Sequence, residues 1–342
     1  MTSRYRSVLF SLFLVTLSTS ASAAALCQAP PPSALKGLNA AIKKDAAAQS
    51  RAMPIVHAEG TLPHQGIYDQ SREAQKDWVV VFNAAMLWRG EHKPEDLTLA
   101  SRLLADWAKV YRPSFNPIDE TGLDRYIAAF DLIRDDLDPQ VRKSAGDFIQ
   151  ALTTGYLQRM ERDFRADKGT WVNNWNSHRV KLVTMGAAVL QDGHLWDRAR
   201  QQFIAQLGHN IQKDGSVMDF HERDALHYVV YDLEPLTTAA MVAKGRGEDW
   251  LHLNKQGVSI AHALDWLVPY ATGQQAHEEF VNSKVKFDAA RRNAGMSGFG
   301  GPWDRKGAAA LFGMAAQLDP RYRPVADSLG PSKGWTSLCF GG

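Results

Sequence analysis

The sequence has few cysteines, no excess of charge and no long apolar run after its N-terminus. Only two of the 342 residues are cysteine, which excludes a disulfide-rich scaffold. The 39 basic and 37 acidic residues nearly balance, so no broad basic surface for nucleic acid is indicated. No later apolar stretch reaches the length of a transmembrane helix, so we expect no membrane span. Convincing alternation of apolar and polar residues is also absent, which argues against a sheet-based fold.

The N-terminus has the pattern of a secretory signal peptide. Arg4 and Arg6 precede an apolar run over residues 8–17, and small residues follow up to position 25. We therefore predict a signal peptide at residues 1–25, a mature chain of residues 26–342, and a periplasmic or secreted protein. Loss of the two arginines leaves 37 residues of each charge, so the mature chain is formally neutral.

The two cysteines lie at opposite ends of the mature chain. An oxidising compartment would allow Cys27 and Cys339 to pair and to fix both termini to the body of the protein. The alternative is a lipid anchor on Cys27. Leu26 is bulky where a small residue normally precedes a lipidated cysteine, which favours the disulfide.

Apolar residues recur at helical spacing along nearly the whole mature chain. Short turns rich in Gly, Pro, Asp and Asn separate the segments, as in consecutive antiparallel hairpins. Segments 180–190 and 236–243 are apolar on nearly all sides, which predicts helices enclosed by other helices. We therefore expect a single all-α domain, an α/α toroid or incomplete barrel. The periodic segments are 35–49, 69–90, 96–110, 122–135, 138–165, 176–191, 194–212, 224–244, 248–268, 282–293 and 304–317.

Residues 53–70 lack this periodicity and contain Pro, His, Gly and Gln. Long loops of this kind are often lids or binding elements, and a plain surface loop is the alternative. His64 and Gln65 are the candidate substrate-binding residues of this loop.

Two segments place unusually many polar groups in otherwise apolar helical sequence. Residues 171–179 contain three asparagines, Asn173, Asn174 and Asn176, followed by His178. One asparagine is explained as a helix cap, but three are not. Such groups are costly to bury without partners, so they indicate a site or a buried network.

The second polar segment is predicted to be a helix that begins at Asp224. On that helix Asp224, His227, Tyr231 and Glu234 would form one polar stripe. Arg223 would stand at the helix start, where a cation is unfavourable unless an anion lies nearby. Together with the first segment, this stripe suits the elimination of a 4-O-linked uronic acid. That reaction needs donors for the carboxylate, a base for the C5 proton and an acid for the leaving oxygen.

No compact metal-ligand spacing appears, because His221 and His227 are six residues apart and do not form a helical zinc pair. We expect no cofactor and no metal.

The residues from Trp171 to Ala243 resemble the alginate lyase superfamily of all-helical toroids, best known from polysaccharide lyase family five. The runs that carry the resemblance are Asn-Asn-Trp-Asn-Ser-His-Arg at 173–179 and Arg-Asp-Ala-Leu-His-Tyr-Val-Val-Tyr-Asp-Leu-Glu-Pro-Leu at 223–236. The family pattern has His directly after its asparagine, whereas this chain has Ser177 there and His178 one residue later. The resemblance implies a catalytic set of Asn176, His178, Arg223 and Tyr231, with either His178 or Tyr231 as the base. Asn174, Trp175, His227, Tyr228, His64 and Gln65 are the implied substrate-binding residues.

The implied activity is metal-independent cleavage of an anionic polysaccharide such as alginate, polymannuronate or a glucuronan. Two alternatives stay open at this point. One is an inverting glycoside hydrolase that uses two carboxylates among Asp219, Glu222, Asp224 and Glu234. The other is a periplasmic protein that binds polysaccharide without turnover.

Overall fold

The structure is a computed structural model, and it describes residues 25–45, 49–332 and 334–341. The predicted signal peptide lies outside these residues apart from Ala25. The prediction of an all-α fold is confirmed, since the described residues contain helices and no β-strand, only isolated β-bridges. No helix among them is long and apolar enough to span a membrane.

Fifteen α-helices are found in the described residues. They are α1 Pro32–Ile42, α2 Tyr68–Ala74, α3 Lys76–Glu91, α4 Pro94–Val110, α5 Leu123–Ile133, α6 Pro139–Arg162, α7 Asn174–Leu190, α8 Gly193–Asn210, α9 Met218–Arg223, α10 Leu226–Gly245, α11 Ile260–Ala271, α12 Lys286–Asn293, α13 Ala309–Leu318, α14 Arg323–Leu329 and α15 Trp335–Phe340.

The helices form two layers of an incomplete α/α toroid. In the inner layer α3, α5, α7, α10 and α13 pack side by side in that order, and in the outer layer α4, α6 and α8 do the same. The inner helices are buried over most of their surface, as their apolar sequences predict; α7 is buried continuously from Asn176 to Val189. The polar residues of α7 and α10 are thereby brought into the interior of one domain.

Close helix approach depends on Gly186 at the contact of α7 with α6. A Cβ atom built on this glycine would lie 2.0 Å from the hydroxyl oxygen of Thr153. The absence of a side chain therefore sets how near the inner helix lies to its outer neighbour.

Two helix predictions are corrected by the structure. The helix predicted to begin at Asp224 begins at Leu226, because Asp224 has a φ of 50° and ends α9 in the left-handed region that Asp and Asn tolerate. Arg223 consequently lies in the last turn of α9, where a cation is favoured by the helix dipole. The helix predicted over 248–268 forms only from Ile260, since the preceding residues form a turn that buries Trp250.

The predicted disulfide between Cys27 and Cys339 is present. Both sulfurs are buried, so the alternative of a lipidated Cys27 is wrong for this structure. The bond joins the segment before α1 to α15 and closes the chain into one loop.

Loss of this disulfide should destabilise the protein strongly. Cross-linking residues 312 positions apart removes much chain entropy from the unfolded state, worth roughly 5 kcal/mol at most. We expect the Cys27→Ala/Cys339→Ala double variant to lose several kcal/mol in its free energy of unfolding, measured by urea titration. The wild-type protein in a reducing buffer is the matched comparison, and an unchanged urea midpoint in the double variant would contradict the prediction.

Candidate active site

A cavity of about 470 Å³ lies where α10 meets the segment between α11 and α13. His227, Tyr231 and Glu234 of the predicted polar stripe line it. The opposite wall comes from a glycine-rich turn that the sequence marked only as a break. The lining residues are His227, Val230, Tyr231, Glu234, Glu279, Gly298, Gly300, Pro302, Trp303, Asp304 and Gly307.

Tyr231 on α10 packs directly against His178 on α7. The ring centroids are 4.4 Å apart and the planes are inclined by 53°. These two residues are 53 positions apart in sequence, and the pairing of two inner helices brings them together. Burial raises the pKa of Tyr231 above its ordinary value, and the negative charges nearby reinforce this, while the charge of Arg72 opposes it.

His178 is only 3% exposed, and its ring contacts the turn that precedes α5. Its Nδ1 lies 2.8 Å from Oγ1 of Thr121, which in turn lies 2.9 Å from Nζ of Lys181. Burial, and then the charge of Lys181, lower the pKa of His178 well below its ordinary value. His178 is therefore a neutral imidazole at physiological pH.

Arg223 and Tyr228 form a second cluster beside Tyr231. The guanidinium of Arg223 lies 4.0 Å from the centroid of the Tyr228 ring and pairs with the buried carboxylate of Asp288. Arg291 donates a hydrogen bond of 3.0 Å to Oη of Tyr228. The rings of Tyr228 and Tyr231 are 6.0 Å apart, so this positive cluster lies close to the phenol.

The asparagines of the first polar segment lie in a buried network. Asn173 caps α7, and the amide of Asn174 donates to Asp219. Asn176 donates to Oε1 of Gln206 at 2.8 Å, and all three side chains are at most 5% exposed. In this conformation these amides are occupied by protein partners and do not line the cavity.

Two carboxyl groups that line the cavity have raised pKa values, which favours their neutral form. Burial raises the pKa of Glu234 to about 7, against the opposing charges of Lys181 and Arg125. Burial likewise raises the pKa of Glu279 to about 7, although its oxygens accept hydrogen bonds from the first backbone amides of α10. These two carboxyls therefore carry less negative charge below pH 7 than ordinary glutamates, which reduces their repulsion of an anionic ligand.

The loop over residues 53–67 is fixed to the inner layer through Asp119. The carboxylate of Asp119 accepts from the backbone amides of Ala58 and Glu59 and contacts Nδ1 of His57 at 2.8 Å. Glu59 is close enough to Arg291 for that charge to lower its pKa, although burial raises it more. The loop thus approaches Arg291 of the cluster around Tyr228.

Of the six predicted substrate-binding residues, His227 lines the cavity and five lie outside its lining. Asn174 and Tyr228 belong to the buried network and the cluster described above, and the other three lie apart from both. His64 is exposed and pairs with Asp69, and Gln65 accepts from the backbone of Leu62 in the same loop. Trp175 lies partly exposed in the first turn of α7. Nothing in the geometry assigns these residues a role, and their part in binding stays a prediction.

Sequence reasoning did not assign Arg72, Arg291, Glu279 or Thr121 to the site. Arg291 belongs to a basic run with Lys284, Lys286 and Arg292, for which the sequence allows contact with a polyanion but favours a solvated face. The other three reach the site through contacts between distant segments, for which the chain offers no local signal.

The structure is similar to an alginate lyase from Bacteroides ovatus, with a TM-score of 0.64, 16% identity, and 90% of this chain and 92% of that chain covered. It is also similar to alginate lyase A1-III from Sphingomonas species A1, with a TM-score of 0.55, 17% identity, and coverage of 84% and 87%. These likenesses establish the fold.

The family follows from the sequence. A polysaccharide lyase from Stenotrophomonas maltophilia strain K279a is 25% identical over 264 residues, which cover 74% of each chain. The alginate lyase family model matches residues 26–277, so the chain belongs to the alginate lyase family. It is a polysaccharide lyase, and the two alternatives of a hydrolase and a non-catalytic binding protein are set aside.

Proposed function

We propose that this lyase cleaves a 4-O-linked polyuronate, such as alginate rich in mannuronate, by β-elimination at Tyr231. The observation that carries the proposal is the contact of the Tyr231 ring with the neutral His178 at the wall of a cavity. A cleft of this size holds a few sugar units, and Trp303 in its lining offers an aromatic face to them.

The elimination needs one proton to move between two atoms of the substrate. The ionised phenol of Tyr231 takes the proton from C5, and the electrons of that bond form the C4=C5 double bond as the bond from C4 to the glycosidic oxygen breaks. The leaving oxygen then receives the proton from Tyr231, which returns to its ionised form. Each turnover thus yields one unsaturated sugar and one new hydroxyl group, with no net consumption of water or of another reactant.

Positive charge must offset the substrate carboxylate before its C5 proton can be removed. We assign this role to the arginines around the phenol: Arg72, whose charge lowers the pKa of Tyr231, and Arg223 and Arg291 beside Tyr228. The predicted role of Asn176 at the carboxylate is not part of the assignment, because its amide donates to Gln206. His227 lines the cavity one turn before Tyr231, and we assign it a role in binding the sugar chain.

The experiment that tests this function is an absorbance assay on a panel of polymers. The purified mature protein is incubated with polymannuronate, polyguluronate, glucuronan and a neutral glucan, and ultraviolet absorbance of the unsaturated uronide is followed. We expect absorbance to rise with at least one polyuronate and not with the neutral polymer. A release of reducing ends without absorbance would contradict elimination.

We also propose that the reaction is independent of metal ions. In the described residues no group of three or more His, Cys, Asp and Glu side chains has an arrangement suited to a metal. We expect activity to be unchanged within about twofold after dialysis against a strong chelator, since the arginines supply the charge that a metal would otherwise provide. Loss of activity that divalent ions restore would contradict this proposal.

We further propose that the protein acts outside the cytoplasm. The disulfide between Cys27 and Cys339 supports this location, because such bonds persist in oxidising compartments.

A further inference from the structure

A chain of hydrogen bonds beneath His178 determines which of its nitrogens carries the proton. Lys181 donates from Nζ to a carboxylate oxygen of Asp124 at 2.5 Å, to the carbonyl oxygen of Thr121 at 3.1 Å and to Oγ1 of Thr121 at 2.9 Å. An ammonium group has three N–H donors and no acceptor, so these three contacts use all of them. The adjoining carboxylate of Asp124 is buried and favours the charged form of the amine, whereas burial lowers the pKa of Lys181.

The hydroxyl of Thr121 therefore accepts from Lys181 and has its own hydrogen left to donate. Its other close partner is Nδ1 of His178, at 2.8 Å. If Nδ1 carried the proton, Oγ1 would face two donors and its own hydrogen would have no acceptor in this chain of bonds. The consistent arrangement has the hydroxyl donating to Nδ1, which places the imidazole hydrogen on Nε2.

Nε2 of His178 is buried and has no hydrogen-bond partner among the described residues. A buried donor without a partner costs about 1–3 kcal/mol, so this N–H is retained at the expense of stability. The ring next to it is Tyr231, at a centroid distance of 4.4 Å. The phenolate required by the proposed elimination forms on this neighbouring ring.

We propose that Thr121 and Lys181 are positioning residues that hold His178 as a neutral Nε2–H donor, and that this donor stabilises the ionised form of Tyr231. The inference rests on the proposed function for its role in turnover. It assigns Tyr231 as the base, since a protonated Nε2 has no lone pair with which to accept the C5 proton. A neutral donor suits this task because it stabilises the phenolate without transferring a proton to it.

The assignment is tested first in the free protein, without any turnover. Histidine labelled with nitrogen-15 in its ring reports by NMR which nitrogen is protonated, and the signals of His178 are identified by their loss in His178→Asn. We expect Nε2 to be protonated and Nδ1 to be a bare acceptor in the wild-type protein. Protonation of Nδ1 there would overturn the inference, whether or not the protein cleaves any polymer.

The second test compares Thr121→Val with Thr121→Ser. Valine removes the hydroxyl at nearly constant shape, whereas serine retains it. We expect Thr121→Val to lose the fixed protonation of Nε2, to lower kcat by about tenfold to a hundredfold, and to move the rise of kcat with pH toward alkaline values. Thr121→Ser should restore all three readouts to near wild-type. A variant Thr121→Val with wild-type NMR signals and a wild-type pH profile would overturn the inference.

Thr237→Val serves as the matched control. It changes a buried threonine of the inner helix α10, whose hydroxyl has no hydrogen-bond partner among the described residues. Loss of activity in this control equal to that in Thr121→Val would assign the effect to packing and contradict the role of the hydroxyl. If the wild-type protein cleaves no polyuronate, the proposed function fails, and the NMR measurement alone still decides the protonation of His178.

Several charged and titratable groups around Tyr231 affect its ionisation and therefore the pH profile. They are Tyr228 and Glu234 on its own helix, Arg72 on α2, Asp124 on α5, and His178 and Lys181 on α7.

Discussion

Tyr231→Phe should lower kcat about a thousandfold or more while the protein still binds its polymer. Proton transfer by a positioned side chain contributes roughly a hundredfold to ten-thousandfold, and here one phenol performs both transfers. The substitution removes only the oxygen and leaves the ring against His178. Turnover is measured by ultraviolet absorbance, and the dissociation constant for an oligouronate by calorimetry.

Tyr126→Phe is the matched control for this substitution. Tyr126 is buried on α5, and its hydroxyl donates to the carbonyl of Leu104 away from the cavity. We expect this control to lose stability of about 1 kcal/mol and to retain kcat. Near-normal turnover in Tyr231→Phe, or an equal loss in both variants, would remove Tyr231 from the mechanism.

The kcat of the wild-type protein should rise about tenfold per pH unit between pH 6 and pH 8. Burial raises the pKa of Tyr231, so only a small fraction of the phenol is ionised at neutral pH, and that fraction grows tenfold per unit. Neutral His178 as the base would instead give a level profile, because its pKa is lowered well below this range. The measurement is initial rate at saturating substrate in buffers of constant ionic strength.

The carboxyls of Glu234 and Glu279 ionise in the same range and must be separated from the phenol. Their pKa values of about 7 mean that the cavity gains negative charge as the pH rises through 7. We therefore expect KM for a polyanion to rise with pH while kcat also rises. Glu234→Gln should weaken the change of KM with pH and leave the slope of kcat against pH unchanged. A kcat that is independent of pH in both the wild-type protein and the variant would exclude the phenolate as the base.

The inner helices and the contact between them were predictable from sequence. Segments 180–190 and 236–243 lack a polar face, so they had to be enclosed, and the polar groups preceding them had to meet inside the toroid. Tyr231 and His178 were assigned on this basis together with the family resemblance. Their side-by-side placement agrees with that assignment.

The local geometry of the second segment was not predictable in the same way. The sequence predicts a helix that begins at Asp224, but Asp224 adopts the left-handed conformation and α10 begins at Leu226. That choice is fixed by a distant partner, since the carboxylate of Asp224 accepts hydrogen bonds from the backbone and side chain of Asn282. The spacing of residues in the sequence does not indicate such a contact.

The residues that form hydrogen bonds with His178 and His57 come from distant parts of the chain. Thr121 reaches His178 across 57 residues, and Asp119 reaches His57 across 62. The wall of the cavity at 298–307 is a turn in the sequence and acquires its role only by folding onto α10. The residues that support His178 and His57 and the wall at 298–307 are therefore brought to the site by contacts between distant segments. Helical periodicity, in contrast, indicated the helices that carry Tyr231 and His178.

The most direct test of the account is to identify the cleavage product in water labelled with heavy oxygen. Elimination at Tyr231 predicts a polyuronate fragment with a C4=C5 double bond at its non-reducing end, seen by mass spectrometry and ultraviolet absorbance, with no solvent oxygen added by the cleavage. Fragments that are saturated and that carry one labelled oxygen from each cleaved bond would contradict the account.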